Sequence, residues 1–254
     1  VYNDGYNIHG AVKDAEFYNC NAHHCGDEGF SAHDHCETLL DGAVYHHCCN
    51  GIFNVNNTGW SITRNVVLHD NRQVGLGIHV ANKKPENVWH ELTNAVIFNN
   101  PTQLAAHPVK ADNVLVANTP GTADAYGAEV GGKGTFRRVT CTYGLARATG
   151  TFTNCLLNAK FHVRVEDPNQ AVKLVNCVLP AGGVFEHGEK WPWKKLPYAD
   201  WLPAGAKAGA IVDTRVVDLP APDTLNAAKA LDQLPDGAGC TKELWDTYRK
   251  HLEN

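Results

Sequence analysis

The sequence predicts an all-β fold, a right-handed parallel β-helix. Four similar segments recur, namely NDGYNIHG from Asn3, DEGFSAHD from Asp27, IFNVNN from Ile52 and GLGIHV from Gly75. Equivalent positions lie 24, 23 and 23 residues apart, and a period of this length is typical of stacked repeats. Apolar and polar residues alternate within each segment, which favours strands over helices. Such short strands bury their apolar side only by stacking, so we expect successive turns about 4.8 Å apart.

Alignment of the four segments predicts which side chains face the core. The two apolar columns are Tyr6, Phe30, Phe53 and Leu76, and Ile8, Ala32, Val55 and Ile78. The polar column that follows them, on the opposite side of the strand, holds His9, His33, Asn56 and His79, with His107 as a further candidate. Because alternate residues of a strand point to opposite faces, we expect this polar column to form a line of histidines on one outer surface.

A second strand in each turn keeps the same period. NVVLHDN from Asn65 recurs as NAVIFNN from Asn94 and NVLVANT from Asn113. The residues 82–92, NKKPENVWHEL, interrupt the repeat, and such insertions form loops on one face, often the binding face. We predict about eight turns over residues 1–182, counting the weaker repeats that follow. The chain opens inside a repeat and contains no methionine, so we expect earlier turns, and any targeting segment, to precede it.

Residues 183–254 show no repeat and are predicted to form an extension that packs on the solenoid and caps it. Its first part is rich in tryptophan and proline and is predicted to be irregular. AIVDTRVVDL, from Ala210, is predicted to be one more strand. DTLNAAKALDQL and TKELWDTYRKHL are predicted to be short helices that begin at Asp223 and Thr241, residue types that cap helix N-termini. We expect the second helix to cover the open end of the solenoid.

The composition excludes several classes of protein. The net charge is −5 and no block of basic residues is present, so the electrostatic footprint of a nucleic-acid-binding protein is missing. No apolar run approaches the roughly 20 residues that a membrane helix needs. The chain has nine cysteines, an odd number in a chain too long for a small disulfide scaffold. Cys25, Cys48 and Asn71 share a repeat position, which predicts a ladder of small buried side chains rather than disulfides.

The segment GFSAHDH, from Gly29 to His35, resembles a motif of the right-handed parallel β-helix superfamily. That superfamily contains polysaccharide lyases, alginate-type C5-epimerases and polygalacturonase-like hydrolases, and the general resemblance covers residues 1–182. In the epimerase motif, Gly-Phe is followed by Asp-Pro-His and an acid. Position by position, His33 matches the catalytic histidine of the family and Asp34 matches the acid after it.

The sequence departs from this pattern at several positions. Ser31 and Ala32 stand where the family has Asp-Pro, and the second histidine of the family, expected near Gly75, is absent. NDG at Asn3 and GDEG at Gly26 are more distantly similar to the acidic motifs of polygalacturonase-type hydrolases. The resemblance therefore implies action on an acidic polysaccharide without selecting one reaction.

The histidine column and the motif together predict an acid–base site. Imidazoles on adjacent turns lower one another's pKa, and a neutral imidazole is what a general base requires. Lysine and arginine at the edge of the surface would neutralise a uronate carboxylate. The predicted catalytic residues are His33, Asp34, His9, His79, Glu28 and Asp27. The predicted substrate-binding residues are Asn56, Arg72, Lys83, Lys84 and Asp4.

We therefore expect an extracellular or periplasmic carbohydrate-active enzyme that acts on a uronate-containing polysaccharide by β-elimination or C5-epimerisation, with His33 as the base. A glycoside hydrolase that uses paired carboxylates is one alternative, and a non-catalytic carbohydrate-binding or surface β-helix is another. Calcium is a possible cofactor, because acidic side chains are its preferred ligands.

Histidine and cysteine are concentrated between Cys20 and Cys49, where eleven of them occur. The spacing contains neither CxxC nor HExxH, the patterns that bind zinc. The repeat itself explains the regular positions of His23, His46 and His69, and of His24 and His47. The sequence therefore predicts no transition-metal site.

Overall fold

The described residues form a parallel β-solenoid. The computed structural model describes residues 3–79, 90–117, 128–142, 144–220 and 237–252. The strands within these ranges pair into one 21-stranded sheet that curls through 306° about an axis. Among them, every strand pair is parallel except one near the C-terminus. The parallel all-β architecture predicted from the repeat is therefore confirmed.

Short strands alternate with a few long ones. In chain order the strands of the described residues are β1 (Tyr6–Ile8), β2 (Ala15–Tyr18), β3 (Ala22–His23), β4 (Glu28–His33), β5 (Thr38–Asp41), β6 (Val44–His46), β7 (Asn50–Val55), β8 (Ser61–His69), β9 (Val74–His79), β10 (His90–Phe98), β11 (Thr102–Ala117), β12 (Ala128–Cys141), β13 (Leu145–Thr153), β14 (Leu156–Leu157), β15 (Lys160–Val163), β16 (Val172–Val175), β17 (Val178–Pro180), β18 (Val184–His187), β19 (Lys194–Pro197), β20 (Ile211–Val212) and β21 (Arg215–Val217). The helices are α1 (Pro168–Ala171), α2 (Tyr198–Lys207) and α3 (Lys242–Leu252). None of these helices has the length and the apolar character needed to cross a membrane.

The strands stack into three ladders that form the sides of the solenoid. The first ladder begins β1, β4, β7, β9 and ends at β15 and β18. The second begins with β2, β5 and the start of β8 and ends at β16 and β20. The third begins with β3, β6 and the end of β8 and ends at β17 and β21. Parallel pairing therefore continues past residue 182, the predicted end of the solenoid, and the stretch predicted as one strand forms β20 and β21.

The third repeat is shifted by one residue from the predicted alignment. Phe30 pairs with Ile52, and Ile52 pairs with Leu76. Ile52 is buried in the core, whereas Phe53 lies in register with Ser31 on the outer face. A shift of one residue moves every side chain of a strand to the opposite face. Phe53 is therefore not part of the core column.

A polar residue inside the solenoid accounts for this shift. Asn54, not Val55, pairs with Ala32 in the second inward column. The Asn54 side chain is buried and donates a hydrogen bond to Ser61 Oγ at 3.3 Å. An alignment that places apolar residues in the core therefore assigns the wrong residue to this position. The outward column is His9, His33, Val55 and His79. Asn56 therefore does not belong to the histidine column.

Helix α2 closes the C-terminal end of the core. Trp201 is fully buried, with its ring centroid 4.6 Å from that of Phe185 in the last turn. Its indole N–H donates to Asn169 Oδ1 at 2.9 Å. Tyr198, one helical turn earlier, donates its hydroxyl to the carbonyl of Ala159 at 2.7 Å. The helix thus covers apolar side chains that would otherwise face water at the end of the stack.

This helix stands where the sequence predicted an irregular segment. Of the two prolines in this stretch, Pro197 only precedes the first helical residue, a position that proline tolerates. Pro203 lies inside the helix, and we attribute its tolerance to the burial of Tyr198 and Trp201, since tertiary packing routinely overrides helix propensity.

Helix α3 lies on the side of the solenoid rather than at an open end. It begins directly after Thr241, as predicted, and the backbone N–H of Thr241 donates to Asn113 Oδ1 at 2.8 Å. Its apolar face packs on outward-pointing side chains of β8, β10 and β11. The contacting residues are Leu244, Trp245 and Tyr248 from the helix and Val67, Val96, Phe98 and Leu115 from the strands. The helix predicted to begin at Asp223 lies outside the described residues.

Cys48, Asn71 and Asn100 form a hydrogen-bonded ladder in the column where small buried side chains were predicted, and Cys48 and Asn71 are buried whereas Cys25 is half-buried. All nine cysteines are free thiols. The backbone N–H of Cys48 donates to Asn71 Oδ1 at 3.0 Å, and that of Asn71 donates to Asn100 Oδ1 at 2.9 Å. These bonds satisfy backbone donors that would otherwise be buried without partners at the corner of the coil.

We expect Trp201→Ala to lower the free energy of unfolding by about 3–5 kcal/mol, because the substitution leaves a cavity at the end of the core. The matched control is Trp191→Ala, since Trp191 is 82% exposed and its loss should change stability by less than about 0.5 kcal/mol. Urea unfolding followed by circular dichroism measures both. Equal losses in the two variants would show that α2 does not close the core.

Candidate functional site

The first ladder carries the predicted catalytic histidines on its outer face. The rings of His9 and His33 are stacked, with centroids 4.1 Å apart and an interplanar angle of 13°. Parallel pairing of β1 and β4 produces this contact, because equivalent outward residues stand one strand spacing apart. We call these two residues the histidine pair.

Asp34 borders the histidine pair. Its φ of 64° turns the chain at the end of β4, in a region that aspartate and asparagine tolerate better than most residues. One carboxylate oxygen accepts a hydrogen bond from the Gly10 backbone N–H at 3.2 Å and lies 4.0 Å from His9 Nδ1. Asp34 is thus held one turn from His9 and directly after His33.

Partial burial lowers the pKa of His33, and the charge of His9 lowers it further. The carboxylates of Asp4, Asp34 and Asp27 act in the opposite direction but do not outweigh these effects. His33 is therefore neutral near pH 7, as a general base requires.

Three carboxylates form a second group, which we call the acid cluster: Asp4, Asp27 and Glu28. One oxygen of each lies within 4.8 Å of the others. Backbone bonds between turns place them together, since the Asp27 N–H donates to the Asn3 carbonyl at 3.1 Å and the Gly5 N–H donates to the Glu28 carbonyl at 2.9 Å. The cluster borders an open depression lined by Asn3, Asp4, Asn7 and Asp27.

Glu28 is the most perturbed acid of the cluster. Burial raises its pKa to about 7, and the negative charges of Asp27 and Asp4 add to this effect, while a hydrogen bond from Asn50 Nδ2 at 3.0 Å opposes it. Glu28 is only 9% exposed to solvent. Near neutral pH a substantial fraction of Glu28 is therefore protonated, so it can donate a proton.

Ser31 connects the two groups. Its hydroxyl donates to Asp4 Oδ2 at 2.9 Å. Ser31 and His33 lie on the same face of β4, two residues and therefore about 7 Å apart. The bond thus connects the strand that carries His33 to the acid cluster, through a side chain that is itself buried.

The remaining predicted residues fall at different places. Arg72 donates a hydrogen bond to the Gly26 carbonyl at 2.7 Å, beside the acid cluster. Asn56 follows Asp34 in register, with φ of 54°, and so extends the corner column. Lys83 and Lys84, with most of the 82–92 insertion, lie outside the described residues. The backbone of His79 is described in β9, but its side chain and that of His107 lie outside the described residues.

A polar group that the sequence analysis missed lies at the far end of the same ladder. His162 Nδ1 lies 3.2 Å from Glu186 Oε2, and Lys160 Nζ lies 2.6 Å from Glu186 Oε1. Burial raises the pKa of Glu186, but the hydrogen bond and charge of Lys160 outweigh it and leave the pKa below its usual value. His162 and Glu186 lie 24 residues apart, the period of the repeat, but no motif marks them.

Among the described residues, the acid cluster is the one group of three or more His, Cys, Asp or Glu ligand atoms that lie mutually within 4.8 Å. Carboxylates are the ligands that calcium prefers. The cluster can therefore supply several, though not all, of the six to eight oxygens that such an ion takes.

Comparison of the chain with protein-family models, with curated proteins and with solved structures gave no match. The similarity to polysaccharide lyases and epimerases therefore rests on the motif around His33 and on the parallel solenoid. Fold alone does not imply function, so any activity depends on the side chains of the site.

We expect the Glu28 carboxyl to titrate near pH 7 in the folded protein, as followed by ¹³C NMR with Glu28→Gln to assign the signal. Because the pKa is raised by folding, the unfolded state loses this proton first as the pH rises. The wild type should therefore lose on the order of 1–2 kcal/mol of stability relative to Glu28→Gln between pH about 4.5 and 7. A constant difference across that range would contradict the assigned environment.

Proposed function

We propose that this protein is a carbohydrate-active enzyme that acts on a uronate-containing polysaccharide by β-elimination or C5-epimerisation, outside the cytoplasm, on a right-handed β-helix of about eight turns. The observation that carries the proposal is the histidine pair: a His33 ring with a lowered pKa, stacked on His9 beside Asp34 on an open sheet face.

The proposed reaction begins with removal of the proton at C5, which the adjacent carboxylate acidifies. The C5–H bond breaks and the proton moves to a ring nitrogen of His33. In elimination the electron pair forms the C4–C5 double bond, the C4–O bond to the leaving sugar breaks, and that oxygen takes the proton of the His33 imidazolium. In epimerisation a water molecule on the opposite face gives a proton to C5, and the remaining hydroxide takes the proton of the His33 imidazolium. The negative charge of Asp34 favours the imidazolium form of the histidine pair during this step.

The uronate carboxylate must be neutralised for this chemistry. Arg72 lies at the rim of the acid cluster, and a calcium ion held by the acid cluster would supply further positive charge. Without such a cation the cluster would repel an acidic polymer. Calcium dependence of the activity therefore belongs to the proposal.

A glycoside hydrolase is the second candidate, and the carboxylates favour it specifically. Glu28, with its pKa raised to about 7, has the property of a general acid. Asp4 and Asp27 each place a carboxylate oxygen within 4.8 Å of one of Glu28, and a retaining enzyme needs a second carboxylate beside its acid. Asp4 would be the nucleophile in that case.

The test is incubation with a panel of uronic-acid polymers, with calcium or with a chelator. Ultraviolet absorbance detects unsaturated ends and proton NMR detects epimerised residues. His33→Gln should lower kcat/KM by about 100- to 10,000-fold. His35→Gln is the matched control, because this exposed ring, two residues away, bonds Thr58 Oγ1 and not the histidine pair.

The pH profile separates a base from a structural histidine. Activity should fall on the acid side at a pH below about 6.5, the ordinary pKa of histidine, because His33 must be neutral. In His9→Gln the fall in activity on the acid side should move to higher pH, since the charge of His9 lowers the pKa of His33.

Products with new reducing ends but no ultraviolet absorbance would favour the hydrolase. Binding of the polymer without turnover would favour the non-catalytic β-helix.

A further inference from the structure

A second group of histidines lies on the third ladder, apart from the proposed active site. We call it the histidine ladder: His23, His24, His46, His47 and His69, with Asp70 beside the last. These residues come from three successive turns, at the ends of β3, β6 and β8 and at the corner that follows. The proposed reaction uses none of them.

The corner of the coil brings neighbouring side chains together in pairs. His24 and His47 have φ of 56° and 55°, so the chain turns and consecutive rings point to the same side. His23 Nδ1 lies 2.9 Å from His24 Nδ1, and His46 Nδ1 lies 2.7 Å from His47 Nδ1. In the next turn the pair is His69 and Asp70, with 2.5 Å between Nδ1 and Oδ2.

The pairs stack on one another from turn to turn. His46 lies between His23 and His69, with ring centroids 5.3 and 4.9 Å apart. His47 stacks on His24 at 4.9 Å with an interplanar angle of 6°. Helix α3 adds His251, whose ring centroid lies 5.4 Å from that of His69. The His23 end is exposed and the His69 end is buried under this helix.

The close approach of the two Nδ1 atoms within each pair would allow them to share an ion after a small rearrangement. A contact of 2.7 Å between His46 Nδ1 and His47 Nδ1 requires a hydrogen on one of the two nitrogens. If both rings carry their proton on Nε2 instead, both Nδ1 lone pairs point at one position. Two nitrogens on one tetrahedral ion lie about 3.4 Å apart, so a small opening of the pair accommodates the ion, and no net proton is released.

We propose that the histidine ladder binds a transition-metal ion that prefers imidazole, of the Zn²⁺, Co²⁺, Ni²⁺ or Cu²⁺ class, with Nδ1 of His46 and His47 as the central ligands. Imidazole selects these ions over calcium or magnesium. Known zinc-binding sequence motifs do not reveal this site. Some of its histidines are brought together from turns 23 residues apart, and others are adjacent residues at a corner.

Thiols nearby are poor competitors for the ion. Cys48 follows His47 and donates its S–H to the His46 carbonyl, with 3.4 Å between Sγ and the oxygen. The Cys48 side chain is fully buried in the core, whereas His47 is exposed. The ligand set is therefore nitrogen-based, which a spectrum can detect.

The test is a titration of the whole chain with Co²⁺ at pH 7.5, followed by visible absorption, in excess Ca²⁺ to occupy the acid cluster. Imidazole-type d–d bands without thiolate charge-transfer bands are expected. His47→Gln should weaken binding by at least about tenfold, since even residues that only support metal ligands contribute this much. His47 is exposed, so the variant should fold, and far-ultraviolet circular dichroism checks this.

His35→Gln is the control, because His35 is an exposed histidine outside the ladder, and its Co²⁺ affinity should equal that of the wild type. Absence of Co²⁺ binding, unchanged affinity in His47→Gln, or bands dominated by thiolate would each overturn the proposal. None of these readouts involves polysaccharide turnover, so the outcome is independent of the proposed enzyme activity.

Discussion

The constraint on which the structure depends is the positive φ at the corners of each turn. Between the second and third ladders, the corner residues with positive φ are Asn19, Gly42, Asn65, Asn94, Asn113, Arg138, Asn154, Asn176 and Asp213. This conformation costs roughly 1–2 kcal/mol for most L-residues, and asparagine tolerates it best because its side chain bonds locally. The amides also bond from turn to turn, with Asn94 donating to Asn65 at 3.1 Å and Asn113 donating to Asn94 at 2.8 Å. Corners in register keep the strands in register.

The same constraint builds both candidate sites. At the end of β4, the positive φ of Asp34 places its carboxylate one turn from His9 and next to His33. At the end of β6, the positive φ of His47 turns its ring toward His46. In each case a corner places two consecutive residues side by side, and parallel stacking brings the neighbouring turn to about 4.8 Å from them. A solenoid with these corners concentrates reactive side chains on its edges without a contiguous motif in the sequence.

Much of the fold follows from period and alternation, because stacking is the only way such short strands bury their apolar side. The register of the third repeat does not follow from this pattern, since Asn54 occupies an interior position where alternation predicts an apolar residue. Helix α2 could not be predicted from the sequence either. It contains a proline, which disfavours a helix, and the burial of Trp201 that stabilises it depends on tertiary packing. For the site, the sequence indicated the stacked histidines but not the raised pKa of Glu28, which depends on burial.

Interstrand nuclear Overhauser effects in the isotopically labelled protein report directly whether the turns stack in this register. We expect backbone contacts from Val55 to His33 on one side and to His79 on the other, with Asn54 in register with Ala32 and Ile78. Contacts that instead place Asn56 between His33 and His79 would contradict the register of the ladder that carries the histidine pair.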